Sequence, residues 1–153
     1  MTKHTLPSLL IALGCAILLS LSARAATPAW MTNYEDARAL SKRIEHPLLL
    51  VFLSSDHSAP SMRMEDEVFN TSKFCRYAAK HFVLVRIDFR ENQAGQDPAL
   101  LEQNERLREK YNVNEMPTCI VLDSKERLSK SIVGYAPGGP DPFIEALVPV
   151  ERD

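Results

Sequence analysis

Six apolar residues in a row, Leu48-Leu49-Leu50-Val51-Phe52-Leu53, stop at Ser54-Ser55-Asp56-His57-Ser58-Ala59, and Pro60 then opens a segment with apolar residues at Met64, Val68 and Phe69. A run without polar alternation reads as a strand buried on both faces, and a proline suits the first turn of a helix. The stretch therefore specifies a central strand, a tight loop and a helix N-terminus. Such an N-terminus points unpaired N–H groups and a positive dipole end into the loop, where a cysteine would ionise readily. Serines stand there instead.

The flanking sequence supplies partners for that strand. Thr32 with Glu35 reads as a capping box, and Tyr34, Ala37, Ala39, Leu40 and Ile44 mark a first helix that Pro47 ends. The second helix is expected from about Pro60 to Phe69, with a further helical piece from Ser72 to Lys80 beyond Asn70-Thr71. Residues 82–89 are β-branched and aromatic, a second strong strand. After a polar loop, Asp97-Pro98 caps a third helix with Leu100, Leu101, Asn104, Leu107 and Tyr111 on its core side, ending near Asn112. Thr118 to Leu122 and Leu128 to Tyr135 are two strands joined by a short turn, hence an antiparallel hairpin, and Asp141-Pro142 opens a closing helix. The expectation is an α/β domain with a central mixed sheet of about four strands flanked by helices.

The first 25 residues stand apart from that domain. Lys3 gives a positive start, residues 9–21 an apolar core, and Ala23-Arg24-Ala25 a small-x-small cleavage site, so residues 1–25 read as a secretory signal peptide and 26–153 as the domain. The apolar stretch is short for a membrane span, and the mature form is expected to need no membrane. Export, most simply to a bacterial periplasm, follows from this reading. Cleavage takes away Lys3 and Arg24 and no acid, which moves the formal net charge from -2 to -4. A mildly acidic surface argues against nucleic acid as a partner. It also leaves two cysteines, Cys75 and Cys119, which read as separate packed thiols or as one disulfide.

Two further details make a resemblance visible. Tyr111-Asn112-Val113-Asn114-Glu115-Met116-Pro117-Thr118 and Gly134-Tyr135, in this order of elements, resemble the thioredoxin-like superfamily, whose Tyr-x-Val-x-x-x-Pro-Thr run carries a cis-proline. Residues 52–56, 64–69 and 82–88 look like its exported branch, related to disulfide-reductase domains. The likeness covers nearly all of residues 30–149. It implies that the family's Trp-Cys-x-x-Cys loop lies over His57, Ser58, Ala59, Pro60 and Ser61, with serine at both cysteine positions. A hydroxyl cannot form the mixed disulfide on which thiol–disulfide exchange depends, so ordinary dithiol chemistry is not expected at this loop. What the resemblance leaves is a shallow groove for an extended peptide, formed by Met116, Pro117, Thr118 and the Ser58 loop. The partners expected are exported proteins or extended peptide segments, with no cofactor and no metal.

Two other chemistries touch the same residues. Asp56-His57-Ser58 contains the residue types of a hydrolase triad, but three consecutive residues in a tight loop can hardly align as nucleophile, base and orienter. The remaining rival is a thiol–disulfide or glutathione-linked oxidoreductase that orients a substrate thiol with Ser58 or relocates the redox pair to Cys75 and Cys119. His46, His57 and His81 show no metal-ligand spacing.

Overall fold

The structure is a computed structural model, and it describes residues 28–148. The signal peptide expected at residues 1–25 lies outside the described residues. In chain order the elements are β1 (Trp30–Met31), α1 (Tyr34–Ile44), β2 (Leu48–Leu53), α2 (Ala59–Met64), α3 (Ser72–His81), β3 (Val83–Asp88), α4 (Pro98–Lys110), β4 (Thr118–Leu122), β5 (Leu128–Val133) and α5 (Pro140–Leu147). Between α2 and α3 the helix widens into a π-helical turn, Glu65–Phe69.

The strands form one mixed sheet in the order β1-β3-β2-β4-β5. The central position of β2 follows from its composition, since all six of its residues are buried. It runs parallel to β3, with Leu48 beside Val83 and Leu53 beside Asp88, and antiparallel to β4, with Phe52 beside Thr118. Because side chains alternate across a strand, Leu49, Val51 and Leu53 pack beneath Met64, Val68, Phe69, Phe74 and Phe143, whereas Leu48, Leu50 and Phe52 meet Tyr34, Ala37, Leu107 and Val113. Each such fully buried Leu, Val or Phe stabilises the fold by about 1.5–3 kcal/mol. That two-sided burial holds the C-terminal end of β2, and the loop that follows it, in one place.

Five strands replace the expected four, because Trp30–Met31 pairs in parallel with Leu84–Val85. Two residues are too few for an alternation pattern, and the aromatic packing of Trp30 on Phe69 and Phe74 explains what holds the pair in place. The capping box also moves: Asn33, not Thr32, caps α1, its side chain accepting from the Asp36 N–H at 3.1 Å. Ile44, expected on the core side, is 41% exposed. At the last helix Gly139 rather than Asp141 precedes the first turn, and Asp141 forms an ion pair with Lys73 on α3. The expected hairpin is present, although its second strand stops at Val133 and Tyr135 lies beyond it. No helix of the described residues is long and apolar enough to cross a membrane.

Candidate functional site: a serine loop at a helix N-terminus

The loop from Ser54 to Ser58 leaves the end of β2 and delivers Ser58 to the N-terminus of α2. Ser58 is in extended conformation, and its Oγ accepts from the Ser61 N–H at 3.3 Å, the geometry of a helix cap. The same hydroxyl lies 3.5 Å from the carbonyl oxygen of Met116. Ser61 is turned inward and is fully buried, where its Oγ accepts from the Ser54 N–H at 3.2 Å. The two serines therefore divide the labour: one faces the loop opening, and the other satisfies a buried backbone donor.

The neighbouring polar side chains hold the loop. Asp56 accepts from the Glu91 and Asn92 N–H groups at 3.0 and 3.1 Å, which ties the loop to the segment after β3. His57 Nδ1 lies 3.0 Å from Asp56 Oδ1 and 2.7 Å from Ser54 Oγ. The hydrogen bond from His57, followed by those from the two backbone N–H groups, lowers the Asp56 pKa to about 2. An ionised carboxylate only accepts, so His57 Nδ1 carries the shared proton. Ser55 donates its backbone N–H and its hydroxyl to Asp88, at 3.0 and 2.7 Å. Asp88 in turn lies 3.2 Å from Arg90, and Arg86 of the same strand pairs with Glu65 in the π-helical turn.

These contacts place each residue singled out in the sequence. His57, Ala59 and Pro60 are exposed, Ser58 is half-buried and Ser61 is buried. The Met116–Pro117 peptide bond is cis. Of the three groove residues expected around the proline, Met116 is partly accessible, and Pro117 and Thr118 are buried. The Thr118 hydroxyl donates to the Glu115 carbonyl at 2.7 Å, so this residue shapes the turn from inside rather than lining a groove. His57 finds Ser54, not Ser58, as its hydroxyl partner, and Ser54 is only 1% exposed. Asp56, His57 and Ser58 therefore do not align as a hydrolase triad.

Cys75 and Cys119 are free thiols. Cys119 is buried on β4, and desolvation pushes its thiol well above the ordinary range. Cys75 is half-buried on α3 and donates weakly to the Phe69 carbonyl at 3.4 Å. No group of three or more His, Cys, Asp or Glu able to hold a metal occurs among the described residues. The polar residues that sequence reasoning missed are Ser54, Ser55, Asp88 and the Arg86–Glu65 pair. Asp88 closing an otherwise apolar strand, with Arg86 two residues before it, was the available signal.

The pattern of the family described as Thioredoxin-like domain matches residues 34–147. Thioredoxin-related protein DsbJ of Chlamydia pneumoniae is 33% identical over 98 residues, 64% of this chain and 28% of that protein. Disulfide bond reductase DsbH of the same organism is 27% identical over 116 residues, 75% of this chain and 68% of that one. The chain thus spans little more than a quarter of DsbJ. Among solved structures, DsbH Oxidoreductase superposes with a TM-score of 0.72 at 25% identity, covering 77% of this chain and 80% of that chain. A thioredoxin from Thermus thermophilus gives 0.61 at 19% identity, with 78% and 83% covered, which bears on the fold alone. The extent of the family match, the five-stranded mixed sheet and the strand-loop-helix site together make this chain a member of the thioredoxin-like domain family.

Proposed function

We propose that this protein is a redox-inactive member of its family that binds extended segments of exported protein partners at the surface formed by His57, Ser58, Ala59, Pro60 and Met116. One observation carries the reading. Serine occupies both loop positions while the surrounding scaffold is intact, from the Ser58 cap to the buried Ser61. Reduction of a disulfide requires a thiolate to attack one sulfur and a second thiol to release the mixed disulfide; a hydroxyl supplies neither. The geometry that remains offers exposed apolar atoms of Ala59 and Pro60, a half-buried hydroxyl and the backbone of Met116, a combination suited to an extended chain. Export of residues 26–153 to a periplasm belongs to the same proposal.

A rival is set by the relative's printed name, disulfide bond reductase. In this chain that activity would have to come from Cys75 and Cys119, and burial of Cys119 with its raised pKa opposes it. The deciding experiment pairs two measurements. Insulin reduction by the protein is expected at the background rate, unchanged in Cys119→Ala. A photocrosslinker placed at Met116 is expected to capture extended segments of exported proteins, and less so when Ser58 is replaced by Arg. Turnover that disappears in Cys119→Ala would overturn the proposal, as would a Met116 probe that captures no protein.

A further inference from the structure

The two edges of the sheet differ. At one end β1 contributes two residues; at the other, β5 offers six, and Leu128, Ser129, Ser131 and Val133 are exposed. The Gly134 N–H donates to the Pro117 carbonyl at 2.8 Å, which sets the phase of the β4–β5 ladder. In an antiparallel pair every second residue turns its N–H and C=O to the neighbour, and the residues between turn theirs away. With Val133 beside Thr118 and Ser131 beside Ile120, the backbone groups of Ser131 and Val133 therefore face outward from the edge. An edge of this kind is commonly blocked by a lysine. Here Lys130 is folded back instead, its Nζ donating to the Ala146 and Val148 carbonyls at 2.5 and 2.7 Å.

We infer that β5 pairs with β5 of a second copy of this chain, antiparallel about a two-fold axis at Ser131, to join two sheets into one. The side-chain pattern argues for a second copy in particular. Beside Leu122 the register skips Ser129, so that Leu128 falls two ladder steps from Ser131 on one side, and Val133 falls two steps from it on the other. Both lie on the face shared with Ile120, and both are large apolar side chains left open, at 60% and 59% exposure. A two-fold axis at Ser131 sets Leu128 of each copy beside Val133 of the other, twice. Lys130 falls opposite Ile132, so no like charges meet. An interface that satisfies itself in this way is the isologous kind that closes a dimer.

The test uses the protein in the form the cell accumulates, followed by sedimentation equilibrium from about 1 μM to 1 mM. Wild-type protein is expected to pass from monomer to dimer within that range. Ser131→Pro removes an outward N–H and no bond to β4, and it is expected to weaken association by about tenfold or more. Val133→Lys restores a charge to the edge and is expected to do the same; it serves if the proline variant melts early. Monomeric wild-type protein throughout overturns the inference, as does a dimer that survives both substitutions in folded protein. An edge that takes up a foreign strand while the chain stays monomeric overturns it too.

Discussion

Ser61 and Cys119 are both buried, at 0% and 1% exposure, and both sit near the end of the sheet that carries the α2 N-terminus, yet their surroundings differ. Ser61 lies in the first turn of a helix and hydrogen-bonds the backbone of the loop it supports. Cys119 lies within a central strand among Leu49, Val51 and Val121, and desolvation keeps its sulfur protonated. The fold places helix N–H groups where the serines are and apolar side chains where this thiol is. The comparison teaches that a thiol's surroundings set its reactivity: the loop has the field without the thiol, and β4 has a thiol without the field.

The sharpest way to break that contrast is to put sulfur into the loop. Ser58→Cys with Ser61→Cys supplies a nucleophile and a resolving thiol at the α2 N-terminus. Insulin reduction is expected to rise about a hundredfold or more above the parent, because thiolate at a helix start is favoured and a second thiol is in reach. A folded double variant with both loop thiols reduced and no turnover would show that the loop does not present the geometry dithiol exchange needs. The converse expectation concerns the native thiols. An aromatic disulfide reagent at pH 8 should modify Cys75 in the native state and leave Cys119 untouched until denaturant is added, with rates separated by about a hundredfold or more.

Much of this contrast was readable in the sequence, because its strongest determinants are local. The six-residue apolar run of β2 announces a central strand, and Ser58 and Ser61 occupy places defined by Pro60 and by the order of elements. The strand Trp30–Met31 was not readable, since a two-residue strand exists only by virtue of β3 beside it. The same holds for Asp88 and Ser55, whose hydrogen bonds span 33 residues. Thr118 shows the limit from another direction: its place beside Pro117 was evident, but its burial and its bond to Glu115 depend on how the turn closes. Local pattern names the elements, and tertiary packing decides which polar atoms remain free.

Two single substitutions divide the roles of the serines. Ser61→Ala leaves the Ser54 N–H buried without an acceptor, a loss of about 1–3 kcal/mol in chemical denaturation. Ser58→Ala removes a cap at the partly open end of α2 and is expected to cost about 0.5–2 kcal/mol, typically about 1. A larger loss at Ser58 than at Ser61 would invert the assignment of structural and surface roles.

The smallest effect probes the loop's tether. Asp56 has its pKa lowered from 3.8 to about 2, by His57 first and then by the Asn92 and Glu91 N–H groups, so the folded state prefers the ionised form more than the unfolded chain does. The stabilisation from this carboxylate is therefore complete above pH 3.8 and is lost as pH falls through about 2. The Glu91 and Asn92 amide resonances are expected to keep their positions down to about pH 3 and then move together, whereas the same resonances in Asp56→Asn should show no such step. A midpoint near 4 for the wild-type protein would mean that the carboxylate is not held by those donors. The loop would then owe its position to the Ser54, Ser55 and Ser61 contacts alone, and the exposed His57 would be freer to move than the buried Ser54 it meets.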